Sequence, residues 1–169
     1  MDLTVRDATE NDLTAIVALY NQSIASGRST ADLEPITVDS RRAWFAAFTP
    51  QKRPIWVAQD GTAIVACIYL TSFYGGRAAY DKTAEVSLYI DQNWQNRGVG
   101  TFLMARLIAH CPQLGVTTLL GMHFDHNEAT LRLNQKFGFQ IAGHLTEIAE
   151  IGAQKRGLLI SVLRVPAAP

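Results

Sequence analysis

The sequence predicts an α/β fold with a mixed, mostly antiparallel sheet. Three observations carry this. Apolar residues recur at helical spacing in some segments and alternate with polar residues in others. The segments run strand, helix, helix, three strands, helix, strand, helix, with two more strands at the C-terminal end. Two neighbouring strands are joined by Asp60-Gly61, a hairpin signal that makes them antiparallel. A length of 169 residues fits one compact domain, expected over residues 1–165, with Pro166 to Pro169 left as a short disordered tail.

Taken in order, Leu3 and Val5 read as a short strand, and Thr9 with Asp12 as a capping box opening a helix. Leu13, Ile16, Val17, Tyr20 and Ile24 repeat at helical period until Ser26-Gly27 breaks the pattern. A second short helix is expected over Val38 to Phe48, stopped by Thr49-Pro50 because proline disfavours helical geometry in the residue before it. Ile55 to Gln59 and Ile64 to Phe73 form the hairpin. After Gly75-Gly76-Arg77, the strand Ala84 to Asp91 places Val86, Leu88 and Ile90 on one face and Glu85, Ser87 and Tyr89 on the other. Val99, Phe102, Leu103, Leu107, Ile108 and Cys111 mark an amphipathic helix, Val116 to Met122 a strand, and Asn127 to Phe137 a further helix. Phe139 to Glu147 and Leu158 to Val165 are the terminal strands.

The hydrophobic share is 48% and no run is long enough to span a membrane. Lys plus Arg equals Asp plus Glu at 15 each, so there is no field to gather nucleic acid or an anionic lipid surface. Small, specific partners are favoured. Cys67 and Cys111 sit in apolar contexts and read as buried reduced thiols, and the first residues lack the order of a signal peptide, which points to the cytoplasm.

The segment Gln95-Asn96-Arg97-Gly98-Val99-Gly100-Thr101 joins a strand to an amphipathic helix. Amides at a helix start lack intrahelical partners and can hold a phosphate, and glycine lets a pyrophosphate approach the backbone. On its own the segment reads equally as a plain glycine-containing helix start. It has no Gly-Lys-Ser/Thr end for a P-loop, and Leu103 stands where a dinucleotide fingerprint needs a small residue.

What remains is a Gln/Arg-x-x-Gly-x-Gly/Ala pattern, and with it the chain resembles the GNAT superfamily of acetyl-CoA-dependent acyltransferases. The resemblance runs from Arg6-Asp7-Ala8-Thr9, followed by Asp12-Leu13 and Ile16, through the glycine loop to Asn127 and Lys136-Phe137-Gly138-Phe139. Arg77-Ala78-Ala79-Tyr80 and Thr83-Ala84-Glu85-Val86-Ser87-Leu88-Tyr89-Ile90 look like its phosphinothricin and methionine sulfoximine acetyltransferase branch. The resemblance implies a GNAT-like sheet flanked by about four helices and splayed between the strand ending at Ile90 and the one starting near Val116. It implies acetyl-CoA as cosubstrate, a small-molecule amine as acceptor, and a homodimer whose partner helps close the pocket. It also implies that Glu85 is the general base, that Leu88, Tyr89, Ile90, Gln95, Asn96, Arg97, Gly98, Val99, Gly100 and Thr101 hold coenzyme A, and that Asn127 bonds its pantetheine arm.

The residues bear on these roles independently. An amine attacks only when neutral, while side-chain amines have a pKa of ~10 and α-amines of ~8, so a base must take a proton. Glu85 lies just ahead of the glycine loop on the face opposite Val86, Leu88 and Ile90; without the resemblance it would read as an ordinary exposed glutamate. Asn127, Leu131 and Asn134 share one helical face, distinct from an Ala129, Leu133 and Phe137 stripe expected in the core, and Asn127 also suits a helix N-cap. Arg77 reads either as a binder of a substrate carboxylate or as a surface arginine, and Tyr80 joins it as a substrate contact by the resemblance.

The chain departs from the branch in three places, one of them the missing aromatic after Ser29-Thr30. Asn134 stands where the superfamily has Tyr or His; an amide is no general acid, but it can donate a hydrogen bond to sulfur, and with a thiol pKa of ~8.5 the thiolate is a tolerable leaving group. Lys155-Arg156-Gly157 takes the place of a Trp-x-Asp, which points away from the herbicide-like amino acids as best substrates. His123, Asp125 and His126 read as loop residues with no third metal ligand at a known spacing. Two other readings remain: a non-catalytic acyl-CoA-binding module, and acetylation of a protein N-terminus or lysine.

Overall fold

In the computed structural model, which describes residues 2–165, the strands are β1 (Thr4–Asp7), β2 (Ile55–Asp60), β3 (Ala63–Ser72), β4 (Thr83–Ile90), β5 (Thr118–Phe124), β6 (Gln140–Ile151) and β7 (Gln154–Arg164). The α-helices are α1 (Leu13–Ser26), α2 (Val38–Ala46), α3 (Val99–His110) and α4 (Glu128–Lys136). The expected tail, residues 166–169, lies outside the described residues. All seven strands form one sheet in the order β1-β2-β3-β4-β5-β7-β6, antiparallel throughout except for the parallel pair β4 and β5. No helix among the described residues is long and apolar enough to cross a membrane.

The local signals act as expected at the start of the chain. Thr9 and Asp12 make a capping box around a single 3-10 turn that runs into α1, and Arg6 clamps Asp12 at 2.6 Å, tying β1 to the helix entry. Leu13, Ile16, Val17 and Leu19 of α1 are buried. Cys67 and Cys111 are both buried free thiols, and burial pushes each pKa up to about 12.

Each sheet face has its own core. Ala84 and Val86 of β4, with Leu88 and Ile90 beside them, pack with Val99, Leu103, Met104 and Leu107 of α3 and with Leu133 and Phe137 of α4. On the opposite face Ile16 and Leu19 of α1 and Trp44 and Phe45 of α2 cover Val57, Cys67, Tyr69 and Tyr89. The alternation read along β4 is therefore the division between two helical layers.

The sheet is split between its parallel strands. β4 and β5 pair at only three positions, Thr83 with Thr118, Ala84 with Leu119 and Glu85 with Leu120. Beyond these, Val86 to Ile90 stay paired with β3 and Gly121 to Phe124 with β7, so the two strands diverge. Along the gap every second residue of β4 turns its N–H and C=O toward β5 with no strand opposite to pair them.

The C-terminal strands differ from expectation. The hairpin continues past Glu147, pairing Ala149, Glu150 and Ile151 with Arg156, Lys155 and Gln154. Glu147 adopts a left-handed φ of +54° where the register shifts between Leu145 and Ala149, and this bulge breaks the alternation by which a strand is recognised.

Candidate active site

The apex of the split is Glu85, the last β4 residue paired with β5. Its side chain lies on the α1 and α2 face, as its strand position predicts, because its β3 partner Thr71 sits one pleat from Leu70 of the α3 layer. It is half-buried, and burial pushes its carboxyl pKa upward, with no cation or hydrogen-bond donor among the described residues offsetting the desolvation. A carboxylate so placed is a better proton acceptor than one in water.

The mouth of the split is formed by the start of α3. Gly98 is its N-cap at φ +85°, a left-handed conformation that suits glycine and provides no capping side chain. The Phe102 amide donates to the Gly98 carbonyl at 3.0 Å, so the amides of Val99, Gly100 and Thr101 point outward without intrahelical partners. Gly100 also has a packing reason to be small. A Cβ there would stand 3.3 Å from Ile90 Cδ1, 3.4 Å from Leu133 Cδ2 and 3.5 Å from Leu88 Cδ2, so it lets the helix start seat against β4 and α4. Leu88, Ile90, Gly98, Val99, Gly100 and Thr101 are thereby brought together.

The rest of the loop braces that start. Gln95 Nε2 donates to the Ile90 carbonyl at 3.3 Å, Arg97 stacks on Trp94 at 4.2 Å, and Asn96 takes a left-handed φ of +58°. Tyr89 sends its side chain to the other face, against Tyr20 at 5.1 Å and Tyr69 at 6.1 Å between ring centroids. Only its backbone borders the gap.

Of the α4 stripe expected in the core, Leu133 and Phe137 pack against it, but Ala129 does not. Ala129 is exposed, whereas Asn127 and Asn134 are 6% and 2% exposed. The asparagine face packs on β5, and Asn134 fits because Gly121 has no side chain beneath it; a Cβ there would lie 2.8 Å from Asn134 Nδ2. That Nδ2 is buried with no hydrogen-bond partner among the described residues. Asn127 is the N-cap: its Oδ1 accepts from the Thr130 amide at 3.1 Å, and its Nδ2 donates to the Arg28 carbonyl at 3.1 Å, anchoring the loop after α1.

His123 lies inside β5 and is buried, not in a loop. Its Nδ1 faces the Phe124 carbonyl at 3.0 Å and so carries the ring proton, and burial lowers its pKa. Asp125 and His126 do follow the strand; Asp125 meets His144 of β6 at 3.1 Å. Arg77 and Tyr80 occupy the exposed loop leading into β4. Arg77 lies 4.9 Å over the Tyr74 ring, and Tyr80 packs edge-on against Phe73 at 5.4 Å.

A mixed sheet split at its parallel pair, with a helix start at the mouth and a half-buried carboxylate at the apex, defines a class: a domain with a cleft between two strands that suits an extended anionic ligand. The pattern of the acetyltransferase (GNAT) family matches residues 13–139, and the chain belongs to that family. It is 43% identical over 159 residues to YwnH of Bacillus subtilis (strain 168), whose name assigns it provisionally to phosphinothricin acetylation, covering 94% of this chain and 96% of that one. It is 27% identical over 150 residues to the L-methionine sulfoximine/L-methionine sulfone acetyltransferase of Pseudomonas paraeruginosa (strain DSM 24068 / PA7), covering 89% and 87%. An N-acetyltransferase structure from Staphylococcus aureus Mu50 superposes with a TM-score of 0.91 at 31% identity, over 98% of this chain and all of that one. The expected fold, branch and enzyme class are all found.

Proposed function

We propose that this single domain, residues 1–165, transfers the acetyl group of acetyl-CoA to the amine of a small molecule, an amino acid or an analogue of one, with Glu85 as general base. The observation that carries this reading is the half-buried Glu85, without an ion-pair partner among the described residues, at the apex of the same β4–β5 split that has the open amides of Val99, Gly100 and Thr101 at its mouth. The amine nitrogen attacks the thioester carbonyl, Glu85 takes a proton from that nitrogen, and the carbon–sulfur bond breaks to release the coenzyme thiolate. Gln95 to Thr101 hold the pyrophosphate, and the free edge of Leu88 to Ile90 together with Asn127, at the start of α4, bonds the pantetheine arm. Arg77 and Tyr80, on the loop entering β4, contact the acceptor.

Thiol release from acetyl-CoA in the presence of a panel of amines tests the reading. Release that depends on one class of amine is the expected result. Coenzyme binding without release under any amine would make the protein a non-catalytic acyl-CoA-binding module.

Asn134 has the role of donating its unpartnered Nδ2–H to the departing sulfur, which is fitting for a thiolate that needs no full proton. Asn134→Leu keeps the volume and removes a buried donor without an acceptor, so the melting temperature should not fall. Turnover should fall roughly tenfold, the scale of one lost hydrogen bond. Unchanged turnover would take Asn134 out of the reaction.

The protein is further assigned to the cytoplasm and to a homodimer. Exposed Tyr74 and Tyr80 on the loop before β4 are apolar surface of the kind a partner covers. Light scattering at micromolar concentration should give twice the chain mass, and a monomer alone would refute the dimer.

A further inference from the structure

Between the last turns of α3 and the β1–β2 edge of the sheet lies a cavity of about 370 Å³, within the usual size of small-molecule sites. It sits at the opposite end of α3 from the glycine loop, and its walls share no residue with the β4–β5 split. Arg106, Ala109 and His110, spaced i, i+3 and i+4, form the helical wall. The sheet wall is made by Val5 and Asp7 of β1 and Trp56 of β2. Val5 and Asp7 share one face of their strand, and Asp7 stands opposite Trp56 in the register, which sets its carboxylate beside the indole. Asp7 Oδ1 accepts from Trp56 Nε1 at 3.1 Å, and the Trp56 ring leans on His110 at 5.2 Å between centroids.

These contacts shape the cavity but leave two of its charges unused. Arg6 also lines it, yet its terminal nitrogens are held by Asp12 and its Nε by Gln59. Arg106 makes no ion pair or side-chain hydrogen bond among the described residues, and nothing among them donates to Asp7 Oδ2. Nor do Arg106 and Asp7 pair with each other. A cation and an anion thus border one cavity without touching. A plain anion would suit Arg106 but meet the Asp7 carboxylate, and a plain cation would suit Asp7 but meet the guanidinium. A molecule that carries both charges satisfies both.

We propose that this cavity is a second small-molecule site, taking a free amino acid in its zwitterionic form with an apolar side chain. The ligand carboxylate accepts from Arg106, its ammonium donates to Asp7 Oδ2, and its side chain lies against Val5, Ala109 and Pro50. No bond is made or broken there, and the site does not depend on whether the chain acetylates amino acids.

Trp56 makes binding visible, because its indole N–H is bonded to the carboxylate that receives the ligand. The indole N–H signal of Trp56 in the NMR spectrum, assigned by its loss in Trp56→Phe, should shift saturably as L-leucine is added. Arg106→Gln alters an exposed position, and Asp7→Asn keeps an oxygen for the Trp56 indole, so both should fold. Each should weaken L-leucine binding by about tenfold, the scale of one charge-assisted hydrogen bond. N-acetyl-L-leucine, without the ammonium, and isopentylamine, without the carboxylate, should bind the unaltered protein more weakly by a similar factor. An unmoved Trp56 signal, unchanged L-leucine affinity in both variants, or either analogue binding as well as L-leucine would overturn the site. Leucine held only in the acceptor pocket of the β4–β5 split gives the second of these results.

Discussion

Glu85→Gln should lower kcat by ~10²–10⁴-fold near neutral pH while leaving the affinity for acetyl-CoA intact, since general-base assistance is of that size and the amide keeps the shape of the carboxylate. Turnover is read by thiol release and affinity by calorimetry. The deficit should shrink as pH rises, because more of the amine is then already neutral. A deficit constant across pH would mean lost positioning, and full activity at pH 7 would remove Glu85 from the mechanism.

The same substitution should raise the melting temperature at pH 7. Burial raises the native carboxyl pKa above its unfolded value, so the native state still holds the proton over a window in which the unfolded chain has lost it. Stability falls as pH climbs through that window, and the full penalty is present above it. Glutamine carries no such penalty. The two proteins should converge in stability below the unfolded glutamate pKa of ~4.3. A base that costs stability is the expected signature of a group held for chemistry.

Gly98→Val and Gly100→Val should each weaken coenzyme binding by roughly 10²-fold or more, about 2.7 kcal/mol, by calorimetry. The two act by different routes. At Gly98 the space is open, but a β-branched residue cannot sit at φ +85° without strain, so the loop must rearrange and misaim the amides of Val99 to Thr101. At Gly100 the backbone is ordinary, but the added methyls drive into Ile90, Leu133 and Leu88 and push the helix start off the sheet. Undiminished affinity in either variant would refute the assignment of the pyrophosphate to this helix start.

Much of this was legible in the sequence because it depends on local signals. The Thr9–Asp12 capping box, the Asp60-Gly61 hairpin and the alternation along β4 each announce their geometry within a few residues. The face of Glu85 follows from that alternation alone. What stayed hidden depends on register. Asn134 is buried because Gly121, on another strand, leaves room for it, and no spacing within α4 records that. Tyr69 and Tyr89 belong to different strands and meet only through the offset of β3 against β4. His123 was masked by the polar Asp125-His126 that follows, and the ends of β6 and β7 by the bulge at Glu147.

The three-pair seam also says how the sheet assembles. β1 to β4 pair in chain order, and β5, β6 and β7 pair among themselves, so each half gathers strands close in sequence and every pairing within a half is antiparallel. The seam alone is parallel, and it alone joins strands through a crossover that includes α3. Pairing across it ends at Glu85, where the two halves part. The cleft between β4 and β5 is thus the unpaired remainder of the one join between two locally paired halves.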